Sequence, residues 1–101
     1  MTQFACDLYA LTPEQRHRRV ELLQQLMQDV QQMIEEPDGL TWLFEPLDER
    51  VWKLCEFVML ERLCCPFLEL TVAFSPFSGP LRLTLRGESG VKTFLLQELN
   101  L

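Results

Sequence analysis

From Leu47 to about Leu63 apolar residues occupy most of the circumference of a helix, and only Glu49, Arg50, Lys53 and Glu56 mark a solvent side. A helix that is apolar nearly all round must be covered by other elements. The rest of the chain therefore has to wrap this segment, for which Asp48 is a plausible cap. Pro66 discourages helical geometry at the residue before it, which puts Cys64 and Cys65 at the helix exit.

The wrapping elements are legible as periodicities. Phe4 to Leu8 alternates, with Phe4, Cys6 and Leu8 on one face, and reads as a short half-buried strand. Thr12-Pro13-Glu14-Gln15 is a helix start: the Thr12 hydroxyl can accept a free N–H, Pro13 suits the first helical position, and Gln15 completes a capping box. Val20, Leu23, Met27, Val30 and Ile34 then form an apolar stripe, predicting one long amphipathic helix ended by Glu36-Pro37-Asp38-Gly39. Leu40 to Phe44, Phe67 to Phe74 and Leu81 to Arg86 alternate as strands, the last two joined by a hairpin loop over Ser75–Pro80. Val91, Phe94, Leu95 and Leu99 mark a short C-terminal helix. The order β-α-β-α-β-β-α predicts an α+β fold, one four-stranded sheet packed against helices.

At 101 residues the chain is expected to be a single domain over 1–101. Its hydrophobic share of 48% and charged share of 24% are ordinary for a globular protein, which excludes wholesale disorder. A net charge of −6 argues against direct nucleic-acid binding and against docking on anionic lipid. There is no long apolar run for a membrane span and no basic, apolar start of a secretory signal, so a cytoplasmic location is expected. In that reducing compartment Cys6, Cys55, Cys64 and Cys65 should be thiols.

Glu61-Arg62-Leu63-Cys64-Cys65-Pro66-Phe67 is the densest cluster of reactive side chains. Adjacent thiols at a helix exit can aim at one soft ion, since thiolates favour mercury, zinc, copper(I) or trivalent arsenic over hard cations. A third sulfur can come from Cys6 on its inward face. Cys55, read as lying on the buried side of the second helix, is either a fourth ligand or simple packing. There is no C-x-x-C, so a standard structural zinc site is weakly supported. Arg62, wound to the side of Val51, Cys55 and Val58, must pair with an acid, cap the helix, or lower the pKa of a neighbouring thiol. Glu61 is a carboxylate ligand, a proton acceptor or Arg62's partner.

Arg16-His17-Arg18-Arg19 puts cations where the helix dipole prefers acids, either as a solvated face or to serve an anion, a thiolate site or a partner. His17 is the only histidine, and nothing orients it towards a cysteine. Phosphate-loop, H-E-x-x-H and G-x-S-x-G signatures are missing.

At these residues the sequence resembles a small bacterial domain found beside, or fused to, mercury-resistance-type regulators and other heavy-metal resistance proteins. The features carrying the likeness are Cys6-Asp7-Leu8, the Arg-rich helix start Arg16 to Arg19, and the Glu-Arg-x-Cys-Cys-x-Phe segment from Glu61 to Phe67, followed by a strand and a late Gly-containing turn. The resemblance implies that Cys6, Cys64 and Cys65 form the thiol site, whereas Cys55 matches nothing in the pattern. It implies a heavy-metal context more than a reaction.

Three readings follow. The first is a cytoplasmic protein that binds a soft ion (mercury, arsenite or zinc) through Cys6, Cys64 and Cys65, with Glu61 and Arg62 setting the thiolate charge. The second is a thiol enzyme acting at Cys64 and Cys65, which needs a low-pKa thiolate and a proton donor such as Glu61 or Asp7. The third is an interaction module with structural cysteines, which forms a homodimer or binds a protein partner through Phe57, Leu60 and Phe77.

Overall fold

The computed structural model describes residues 4–99. After a 3-10 turn at Leu8–Ala10 come α1 (Pro13–Asp29), β1 (Gln32–Glu36), β2 (Gly39–Phe44) and α2 (Asp48–Cys64). They are followed by β3 (Glu69–Phe74), a 3-10 turn at Pro76–Ser78, β4 (Leu81–Arg86) and α3 (Val91–Glu98). The strands form one antiparallel sheet in the order β1-β2-β4-β3. The α+β class and the four-stranded sheet with helices against it are as expected from the sequence.

Register decides what the sheet buries. Leu40 faces Leu85, Trp42 faces Leu83 and Phe44 faces Leu81, so β2 and β4 offer one continuous apolar face. Onto it pack Leu54, Phe57 and Leu60 of α2, Leu22 and Leu26 of α1, and Val91, Phe94 and Leu95 of α3, all buried. Each such side chain stabilises the fold by roughly 1.5–3 kcal/mol of apolar burial. The other face is polar: Thr41 lies opposite Thr84, their hydroxyls 3.0 Å apart, and Thr41 also donates to Glu36.

One strand is supplied by a different segment from the one anticipated. Phe4 to Leu8 is not in the sheet. Asp7 accepts a hydrogen bond from the Tyr9 N–H and so caps the 3-10 turn, which bends the chain before a ladder can form. Phe4 packs instead against the Phe67 ring, and Leu8 is exposed. The missing strand is β1, at the end of the anticipated long helix. The capping box at Thr12 and Gln15 is present, but α1 stops at Asp29 and Val30 is already extended. The Gln31 N–H bonds the Leu43 carbonyl, and Gln32–Glu36 pairs with β2. Pro37 and Asp38 are thus a hairpin turn rather than a helix stop. Without Val30 and Ile34 the buried line of α1 becomes Leu22 and Leu26, and Val20 is half exposed.

On α2 the boundaries agree with the sequence reading, but the rotation does not. Phe57 and Leu60 are buried, whereas Cys55, Trp52 and Met59 are exposed. Leu47, not Asp48, is the N-cap, and it makes no side-chain capping bond.

Candidate functional site

The site lies where α2 ends. Cys64 is the last helical residue and Cys65 the cap, whose N–H bonds the Glu61 carbonyl at 2.8 Å. Glu61 is therefore one turn before the cysteines, on the buried face with Leu54, Phe57 and Leu60. The amino-terminal segment is tied to this exit by a hydrogen bond from the Asp7 N–H to the Cys64 carbonyl, 2.7 Å. That tether puts Cys6 beside Cys65, their Cα atoms 4.6 Å apart, and the two form a disulfide. The expectation of four thiols is corrected here: among the described residues the free cysteines are Cys55 and Cys64.

Cys64 lies against the bridge. Its Sγ is 3.6 Å from that of Cys65, and it donates weakly to the Glu61 carbonyl at 3.7 Å. Glu61 Oε1 approaches the Cys65 Sγ to 3.2 Å. Ligand atoms of Cys6, Glu61, Cys64 and Cys65 all lie within 4.8 Å of one another, the spacing of a metal-binding group, although the bridge engages two of the sulfurs. Cys64, Cys65 and Glu61 are buried, and Cys6 is partly so.

The cation of the site comes from α1. Arg19 grips Glu61 with two hydrogen bonds, Nε to Oε2 at 2.7 Å and Nη2 to Oε1 at 3.1 Å, and the side chains are only 12% and 6% exposed. Burial works against the Arg19 charge, yet the hydrogen bonds and charge of Glu61 outweigh it and hold the guanidinium firmly protonated. Burial also pushes the Cys64 thiol up, Glu61 adds to this, and Arg19 offsets only part of it. Cys64 is a protonated thiol at neutral pH.

The structure thus brings together Cys6, Glu61, Cys64 and Cys65. Arg62 does not join them. It is exposed, so the expectation that it sets the thiolate charge is corrected in favour of Arg19. Cys55 is exposed on α2 and lies outside the cluster, so it is neither packing nor a fourth ligand. The Arg16–Arg19 tract is mostly a clasp. Arg18 makes a two-pronged pair with Glu56, and Arg16 donates to the Leu11 carbonyl at 2.9 Å with its guanidinium over Tyr9. The signal that would have found Arg19 is Glu61 itself, since a buried carboxylate demands a cation and the nearest surplus is that tract.

Fold and site together define an α+β protein with a buried thiol–carboxylate cluster at a helix exit. The chain matches no protein-family model, no curated protein and no solved structure. No helix among the described residues is long and apolar enough to cross a membrane.

Proposed function

We propose that the reduced chain binds a soft metal or metalloid ion through the sulfurs of Cys6, Cys64 and Cys65, with Glu61 and Arg19 supporting them. The observation that carries this reading is the convergence of the four ligand atoms within 4.8 Å from segments 59 residues apart. Sulfur donors select mercury, arsenic or zinc over hard cations. The disulfide engages two of the three sulfurs, so the ion enters only after reduction. A dithiol reductant supplies two electrons and two protons, Cys6 and Cys65 become thiols, and the reductant leaves as its own disulfide. A cytoplasmic, heavy-metal-resistance setting fits this requirement, and the Glu61–Phe67 motif resemblance supports it.

The rival enzyme reading has less support. Thiol chemistry at this pair needs a stabilised thiolate, and Cys64 is held protonated by burial and by Glu61.

The test is titration of the reduced protein with mercury(II) or arsenite while following sulfur-to-metal absorption. Saturation at one ion per chain, lost on oxidation and weakened in Cys6→Ser, is the expected result. Affinity no better than that of a free thiol, and indifferent to Cys6→Ser, would remove the proposal.

A further inference from the structure

Resting on the binding reading above, we infer that the site selects a trivalent metalloid hydroxide, of which arsenite is the natural probe, over divalent ions. Three features lead there.

The first is charge. Arg19 is the guanidinium at the sulfurs, and it is spent on Glu61 through two hydrogen bonds, both partners nearly buried. The pair is neutral as a unit: Arg19 favours the Cys64 thiolate, Glu61 opposes it, and no net positive charge is left to balance three thiolates. Three thiolates on a trivalent centre make a neutral unit. Three thiolates on a divalent ion leave an unbalanced negative charge among buried groups, which is costly.

The second is shape. The Cys64 and Cys65 sulfurs stand 3.6 Å apart. With bonds of about 2.3 Å, the zinc–thiolate length, that edge subtends roughly 100° at a bound ion, whereas a linear two-sulfur ion needs roughly 4.6 Å. The angle suits a pyramidal or a tetrahedral sulfur site and sets aside a linear one, which leaves zinc to be separated by charge and by the fourth donor. The third is the empty fourth place. Tetrahedral zinc needs another donor, and the one beside the sulfurs is Glu61, which would have to be shared with Arg19. Enlisting Glu61 would add yet another negative charge.

The reaction balances without redox change. Arsenite, As(OH)3, meets three thiols. Three arsenic–oxygen bonds break, three arsenic–sulfur bonds form, and each hydroxide leaves as water with one thiol proton.

The experiment uses the full chain, reduced, with arsenite and zinc(II) in competition and unreacted thiols counted afterwards. Arsenite should mask three thiols per chain and outcompete zinc, and Cys6→Ser should weaken it on the order of 100-fold through loss of one chelating arm. Glu61→Gln should shift the zinc-to-arsenite affinity ratio at least about tenfold towards zinc, because it frees the Arg19 charge to balance a divalent site. Zinc binding tighter than arsenite, or arsenite masking only two thiols, would overturn the inference, as would an unmoved ratio in a folded Glu61→Gln. The wild-type thiol count and competition decide the matter even if that variant does not fold. Failure is attributable: zinc or mercury held through all three cysteines while arsenite is refused removes only the selectivity, whereas no ion bound better than by a simple dithiol removes the binding reading as well.

Discussion

Cys55 and Cys64 are both free cysteines but sit in opposite environments, one exposed and one fully buried. Alkylation followed by mass spectrometry should modify Cys55 first by a wide margin at neutral pH. Cys64 should react only as pH rises past the ordinary thiol range, because burial, with Glu61, pushes it up. The linkage has a definite sign. A thiol whose folded pKa is raised contributes stability that is fully present below its unfolded value and lost as pH climbs through the folded one. Equal modification of both thiols at pH 7 would contradict the burial of Cys64. Arg19 and Arg62 make a second contrast. Arg19→Met strands Glu61 without its partner and should cost about 3–5 kcal/mol in urea unfolding. Arg62→Ala should stay within about 0.5 kcal/mol, as an exposed substitution does.

Between elements, the α1–α2 clasp and the β2–β4 ladder have separate signatures. Glu56 is held below its usual range by the Arg18 hydrogen bonds. Its share of stability is present above the ordinary carboxylate value and is lost as pH falls through the depressed one. That share is small, since the pair is more than a third exposed on both sides. In the ladder, a Cβ at Gly39 would run into the Leu85 carbonyl. Gly39→Ala should therefore lower stability by about 1–3 kcal/mol in a thermal melt, the scale of overpacking. Elements whose signals are local could be read directly: the Thr12 capping box, α2 between Leu47 and Pro66, and the β3–β4 hairpin. What escaped was decided by distant partners. Gln32–Glu36 has an apolar period compatible with helix, and only pairing with β2 makes it a strand. The rotation of α2 was hidden because apolar residues surround it, so Phe57 and Leu60 could not be told from Trp52 and Met59. In the site, Cys6, Glu61, Cys64 and Cys65 were legible as chemistry, whereas Arg19 depended on how α1 lies along α2.

At the scale of the whole molecule, the Cys6–Cys65 bridge closes a loop between residues 59 apart. Cutting a loop of that size should cost about 4 kcal/mol by the chain-entropy argument. Reduction should therefore lower the melting temperature, and a bound ion should raise it again with a dependence on ion concentration. A melting temperature indifferent to both would mean that the bridge does not restrain the chain. Far from the site, Phe74, Phe77 and Trp52 are exposed, and Phe77 is fully so on a positive-φ turn. They replace Phe57 and Leu60 as the apolar surface to test for self-association, and Phe77→Ser should leave unfolding unchanged while abolishing any concentration-dependent assembly.

The Asp7–Cys64 backbone bond and the packing of the Phe4 ring on Phe67 are non-covalent and hold the same segment as the Cys6–Cys65 bridge. The amino-terminal strap is thus moored twice over by forces that a reductant leaves untouched. Reduction is therefore expected to leave that segment at the helix exit, and an ion that binds there would not first have to gather the loose end of the polypeptide.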